Sequence, residues 1–302
     1  MIEYKESPSS KFFPGFKSFM IKTSSGIHIN GVLAGSGPPI LLLHGAPCNL
    51  TNWRKVAPKL AENYTVIATD LRGYGDSDMP EGGENHINYS KRVMAQDQVD
   101  VMEALGFDRF HVVSHDRGSR VAHRMARDHA DKIITATLMD IQPTLYLYNH
   151  VDRKFGEAYW FWFFYTVDAP VPETFINNSA EFFMNIGFFG KRKEMISDEA
   201  FDNFLRTMKR DGSAHAQCED YRAASTIDLE HDKADLAKKV SCPVLVLWGE
   251  QNPLNKGVDL VSIWEERASN VRGHGCPSAH WLNEQIPDQV IKEVTEFIEK
   301  NS

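Results

Sequence analysis

Cysteine is scarce in this sequence of 302 residues: Cys48, Cys218, Cys242 and Cys276 stand far apart, and no C-x-x-C pair occurs. That spacing excludes a disulfide frame and a cysteine zinc site, so four reduced, buried thiols are expected. Long apolar runs are missing as well. The most aromatic stretch, Tyr159 to Tyr165, is far too short to span a bilayer, and no membrane association is expected. The first residues, Met1 to Lys22, mix charges, prolines and aromatics without the apolar core of a cleavable signal, which points to the cytoplasm. Positive charge never gathers into a run. With 33 Lys and Arg against 41 Asp and Glu, the net charge of −8 argues against a nucleic-acid partner. No segment recurs at a period of 20 to 50 residues, which excludes a repeat protein.

What is present is an alternation of short apolar runs with longer amphipathic ones, the signature of a mostly parallel sheet flanked by helices, an α/β fold. Buried strands are expected at Ile40–His44, Thr65–Asp70, Phe110–Asp116, Ile133–Asp140 and Pro243–Gly249. Ahead of them, Lys17–Ile21 and Ile27–Ala34 flank the turn residues Ser24-Ser25-Gly26 and read as a hairpin. Helical spacing covers about Asn52–Ala61, Tyr89–Leu105, Arg117–His129 and Pro287–Lys300. The rhythm breaks between Ile141 and about Asp235, where no buried strand pattern occurs and Trp, Phe and Tyr are dense. The expected organisation is therefore a core domain of residues 1–140 and 236–302, with a helical cap of residues 141–235 inserted over the carboxyl edge of the sheet. Such a lid makes an apolar, water-poor pocket.

The sharpest local signal is Val113-Ser114-His115-Asp116-Arg117-Gly118-Ser119-Arg120. A buried strand ends, small residues stand two positions either side of an Asp, and a helix begins at once. The spacing resembles the nucleophile elbow of α/β-hydrolases, with Asp where esterases carry Ser. Read alone, Asp116 serves equally well as a helix cap. Three further features favour the nucleophile. His44-Gly45-Ala46-Pro47 follows an apolar strand where this fold supplies one N–H of its oxyanion hole, Ala46, the second being Arg117 N–H. His280, in Ser278-Ala279-His280-Trp281-Leu282, lies where the chain order nucleophile, acid, histidine puts the general base. The orienting acid is expected at Asp140, which ends the strand Ile133–Asp140. The position after the next strand where Asp is usual holds Asn252, and Glu250 is the fallback.

A carboxylate that attacks an sp³ carbon forms an ordinary ester, which activated water then hydrolyses; attack on an acyl carbon would give an anhydride. The set Asp116, His280 and Asp140 therefore points to opening of alkyl halides or epoxides. Arg117 and Arg120 keep the nucleophile ionised and can clasp a substrate carboxylate by paired hydrogen bonds. The alternative is that they make structural salt bridges, as Arg124 and Arg127 are expected to do. The inferred substrate is a small acid with its leaving group on the α-carbon. No closed set of metal ligands and no phosphate-cradling glycine loop occurs, so no metal or cofactor is expected.

At this point the chain resembles the haloacetate dehalogenase family, which includes the fluoroacetate dehalogenases, within the α/β-hydrolase superfamily. The matching segments include SHDRGSRVAHRMARDHA, LMDIQPT, YWFWFFYTVDAPVPE, CEDYRAASTIDLEHDKADLAKK and AHWLNEQIP, and run from about Gly31 to the C-terminus. The resemblance implies Asp116 as nucleophile, His280 as base, Asp140 as its partner, and Arg117 with Arg120 as carboxylate ligands. It also implies a homodimer. Family members hold the departing halide with a His-Trp pair and a Tyr. Here the pair reads Phe161-Trp162 and the tyrosine is Tyr221, so the histidine donor is absent. Fluoride needs strong hydrogen bonding as it leaves, and chloride and bromide need less, so chloro- or bromoacids are expected to be better substrates than fluoroacetate. Ala46 replaces a Phe common in the family, which either widens the pocket or leaves space for neighbouring aromatics to refill. Two rival readings remain at this level. One is an epoxide hydrolase with the same triad, which would want a second proton donor where Phe161 stands. The other is a catalytically silent carboxylate-binding homologue.

Overall fold

A computed structural model describes residues 2–189 and 195–301. Nine strands form one sheet: β1 (Ile2–Glu3), β2 (Lys17–Lys22), β3 (His28–Ala34), β4 (Pro39–Leu43), β5 (Thr65–Thr69), β6 (Phe110–His115), β7 (Ile133–Met139), β8 (Val244–Gly249) and β9 (Val271–Cys276). Their order is β1-β2-β3-β5-β4-β6-β7-β8-β9. The first three strands and the β3–β5 pair are antiparallel, and every pair from β5 to β9 is parallel. The central strands are almost wholly buried because helices cover both faces, which is why β4 reads as a continuous apolar run and β6, though buried throughout, carries its polar residues only where they find partners.

Helices Lys91–Ala104 and Arg117–Asp128 pack on one face, where Val99, Met102, Val121 and Met125 join the strand residues Leu41, Ile67 and Val112. On the other face, helix Pro287–Glu299 puts Val290, Val294 and Phe297 against Ile40, Leu42 and Val113. Burying these side chains contributes roughly 1.5–3 kcal/mol each. The four cysteines are all free and buried.

Most expected elements occur within one or two residues; one expected helix does not, and two strands, β1 and β9, are unexpected. The helix expected over Asn52–Ala61 is broken into a 3₁₀ turn, Leu50–Trp53, and a single α-turn, Ala57–Leu60, with Pro58 in its first turn. Pro58 can sit only near a helix start, because it lacks an N–H and its ring clashes with the preceding turn. Strand β9, with the sequence VRGHGC, has no apolar run to betray it. Its Gly273 packs so close to β8 that a Cβ there would meet the Val246 carbonyl oxygen at 2.1 Å. Strand β1 is too short to give a pattern.

Between β7 and β8 the described chain is helical from Thr144 to Ala234; residues 190–194 of that stretch lie outside the described residues. Its aromatic side chains form a separate cluster around Phe161, Trp162, Tyr165, Phe183 and Tyr221. Among the described residues no helix is long and apolar enough to cross a membrane.

Buried histidines leave a mark on stability. His44 accepts from the Leu71 N–H at 3.0 Å and donates from Nδ1 to the Gly45 carbonyl at 2.9 Å, an arrangement only the neutral ring can make. Burial pushes His44 down to about 4, and burial with the neighbouring His280 does the same to His115. The unfolded chain takes up these protons near pH 6.5 and the folded chain only near pH 4. Stability is therefore full above pH 6.5 and falls through that interval, by on the order of 3 kcal/mol for each ring. Urea unfolding at pH 7.5 and pH 4.5 checks this: the drop should shrink in His44→Gln, and an equal drop would disprove it.

Candidate active site

Strand β6 delivers Asp116 to a sharp turn before helix Arg117–Asp128. Its backbone sits at φ 49°, ψ −120°, a conformation that costs an L-residue of order 1–3 kcal/mol and that the surroundings must enforce. They do so by close approach. A Cβ on Gly118 would meet the Leu43 and His44 carbonyl oxygens at 2.4–2.5 Å, and one on Gly45 would meet the Asp116 side chain at 2.4 Å. Ser114 is buried and donates to the Thr137 carbonyl at 2.8 Å, and Ser119 Oγ accepts from the Met139 N–H at 3.1 Å. The two small hydroxyls thus tie the turn to β7.

The carboxylate this turn presents has two different oxygens. Oδ1 accepts the Ala46 N–H at 3.0 Å, and the Arg117 N–H also bonds the carboxylate. Oδ2 faces His280, with Nε2 at 3.6 Å. Burial works to raise the Asp116 pKa, but the charges of His280, His115 and Arg117 and the Arg117 N–H outweigh it, so the group stays below its ordinary value and ionised.

His280 turns its Nδ1–H to Asp140 Oδ2 at 2.5 Å, which leaves the Nε2 lone pair toward Asp116. Asp140 ends β7 with φ 51° and accepts three more bonds: from Gly249 N–H at 2.8 Å, Asn255 Nδ2 at 2.6 Å and Asn252 Nδ2 at 2.5 Å. Glu250 points away, exposed beside Gly275. Beneath the base, His115 donates from Nε2 to the His280 carbonyl at 2.7 Å, and their rings lie 4.7 Å apart. That bond holds the backbone of the loop that carries His280.

A cavity of about 460 Å³ opens above these groups. Asp116, Asp140, His280, Ala46 and Arg120 line its floor, and Phe161, Trp162 and Tyr221 come down from the helical segment. No internal hydrogen bond occupies Trp162 Nε1 or Tyr221 Oη among the described residues. Phe161 packs on Phe188 at 4.8 Å and offers no donor. Among the described residues no group of three or more His, Cys, Asp or Glu is placed to hold a metal ion.

The two arginines part company. Arg117 does not line the cavity: its guanidinium turns to Asp220, with a short Nε contact to Oδ2 and Nη2 at 2.8 Å from the carbonyl, under the Tyr221 ring at 4.0 Å. Its Nη1 has no partner. Asp220 also receives Lys91 Nζ and the Tyr74 hydroxyl, the latter at 2.6 Å, so a buried carboxylate is surrounded by donors. Arg120 keeps to the cavity. Its Nη1 donates to Thr144 Oγ1 at 2.7 Å, while Nε and Nη2 are buried without a partner among the described residues. Burial and the nearby Arg117 charge depress its pKa, the mark of a cation short of a counter-ion.

The α/β-hydrolase fold family matches residues 38–284. The chain belongs to the α/β-hydrolase family. It is 40% identical to a fluoroacetate dehalogenase of Burkholderia sp, over 95% of each chain, and 31% identical to a soluble epoxide hydrolase of Corynebacterium, over 90% of this chain and 94% of that one. A solved structure of a candidate α/β-hydrolase from Nostoc is 46% identical with a TM-score of 0.92, covering 95% of this chain and 99% of the other.

The structure brings together Asp116 on its strand-to-helix turn, His280, Asp140, Trp162 and Tyr221, residues that the sequence singles out. The sequence missed the carboxamides of Asn252 and Asn255 and the pairing of Arg117 with Asp220. Asn252 carried a readable signal, since it stands where the fold usually has its acid; Asp220 carried none, being one acidic residue among many. Asn252 Nδ2 and His280 Nδ1 both bond the same oxygen of Asp140, so a carboxylate at either position can reach the ring. Asp140→Asn should lower turnover at least a hundredfold, and adding Asn252→Asp should recover a tenth or more of it. Steady-state rates of the two variants decide this, and a double variant no faster than the single would refute it.

Proposed function

We propose that this hydrolase is a hydrolytic dehalogenase of small 2-haloacids. The observation that carries the reading is Arg120: a buried guanidinium on the cavity floor, beside an ionised nucleophile, with two N–H donors unpartnered. An unpaired buried cation is costly, and a carboxylate accepting both donors relieves that cost. Arg117 Nη1 is a further free donor behind it. A neutral epoxide would leave these donors empty.

In the reaction, Asp116 Oδ2 attacks the α-carbon and the carbon–halogen bond breaks, the halide leaving with the electron pair. Trp162 Nε1–H and Tyr221 Oη–H are the donors that receive it. The product is an ester of Asp116 Cγ. His280 Nε2 then removes a proton from water, and the hydroxide attacks Cγ. Negative charge gathers on Oδ1, where the Ala46 N–H already points, with the Arg117 N–H bonded to the same carboxylate. Asp140 holds the imidazolium that forms. Collapse breaks the Cγ–Oδ2 bond, His280 Nε2 gives its proton to the departing alkoxide, and the 2-hydroxy acid leaves with one water oxygen retained in the Asp116 carboxylate.

The test is halide release from fluoro-, chloro- and bromoacetate by the enzyme and by Asp116→Asn, with a single turnover in ¹⁸O-water. Release by the wild type alone, with the label in Asp116 and not in the hydroxy acid, is the expected result. Label in the product, or turnover of styrene oxide with no halide release, would replace the proposal with another hydrolase chemistry. Saturable haloacid binding without turnover would mark a silent binding protein.

Phe161 sets the halogen preference. Without a histidine donor, carbon–fluorine cleavage lacks help on the order of 3 kcal/mol. Chloro- and bromoacetate should therefore turn over at least tenfold faster than fluoroacetate, and Phe161→His should raise the fluoride rate more than the bromide rate. Fluoride release that equals bromide release in the wild type would disprove this role.

A further inference from the structure

Bromoacetate has five non-hydrogen atoms, whereas the cavity of about 460 Å³ falls in the range that receives drug-sized ligands, about 300–1,000 Å³. Ala46 stands on the floor of this cavity. Beyond the reacting groups and the halide-side aromatics, the lining includes the apolar Leu147, Ala158, Ile186, Phe188 and Leu254. The polar groups on that side are engaged with one another. Gln142 Nε2 donates to the Leu254 carbonyl at 2.9 Å, Tyr159 Oη to Asn252 Oδ1 at 2.9 Å, and the Asn252 and Asn255 amides to Asp140. A second chamber of about 310 Å³ adjoins the first and shares Leu147, Ala158, Tyr159 and Leu254 with it.

The site is thus split in character. One end carries Arg120, Trp162 and Tyr221, and the other is lined mainly by apolar side chains, with Gln142, Tyr159, Asn252 and Asn255 engaged in internal hydrogen bonds. A two-carbon acid would fill the first and leave the second facing water. We infer that the preferred substrates are 2-halo acids with an apolar chain of several carbons on the α-carbon, and that haloacetate is a truncated analogue of them. The inference rests on the dehalogenase reading. Each methylene moved from water onto such a wall is worth about fourfold in binding. Because that contact is made in the transition state too, the gain appears in kcat/KM.

The experiment compares bromide release from 2-bromopropanoate, 2-bromobutanoate and 2-bromohexanoate, three acids with the same secondary reacting carbon, so that chain length alone varies. At least a tenfold rise in kcat/KM from propanoate to hexanoate is expected. Equal or falling values would overturn the inference while leaving the dehalogenase reading intact. Bromide from none of these acids, nor from bromoacetate, would overturn both. A second arm uses Ala158→Phe, which fills the far wall at a position exposed on its own helix. The hexanoate-to-propanoate ratio should drop about tenfold, and an unchanged ratio would place the chain elsewhere and refute the assignment.

Discussion

The strained turn at Asp116 is the constraint on which the rest of the molecule depends. A residue at φ 49° between strand and helix lifts one carboxylate clear of the sheet, and only dense packing can keep it there. β4 and β6 pair in parallel register so that Leu43 lies beside Ser114 and the His44-Gly45 turn falls under the elbow. Gly45 and Gly118 permit the contact, and the buried hydroxyls of Ser114 and Ser119 fasten it to β7. The same closeness that forces the turn also brings the Ala46 N–H to Oδ1. Strain and oxyanion recognition are two results of a single packing arrangement.

Electrostatics at the site follow from how few of its charges meet water. Asp116 remains ionised although burial opposes it, because three positive or polarised groups face it. Asp140 is saturated with donors, so it orients His280 and has no capacity for another role. Asp220 absorbs Arg117, Lys91 and Tyr74 together, and Arg120, on the cavity floor, keeps a buried Nε and Nη2 without a partner among the described residues. The selectivity we propose arises from that uneven distribution of partners.

Much of this was legible in the sequence, for physical reasons. Parallel strands buried on both faces must be largely apolar, so β4, β6, β7 and β8 announce themselves. The elbow needs small residues at fixed offsets, so Ser114 and Gly118 mark Asp116. The signal failed where it rested on contact between distant segments. β9 is a strand because Gly273 fits against Val246, and no local pattern encodes that. The helix expected over Asn52–Ala61 gives way to two separate turns around Pro58. The pairing of Arg117 with Asp220 joins two buried residues more than a hundred positions apart, and the short spacing from Asp116 to Arg120 made the two arginines look equivalent.

The position of the acid has a consequence for how such an enzyme changes over evolutionary time. With Asp140 placed at the end of β7, the loop that follows β8 is relieved of carrying a catalytic carboxylate. It need only present two amide donors, from Asn252 and Asn255, and the residues between and after them become wall. Pro253 and Leu254 stand on both chambers of the cavity. Mutational drift in this loop can thus reshape what fits above Asp116 while Asp116, His280 and Asp140 stay where they are, and the loop becomes the place where the cavity's selectivity can change.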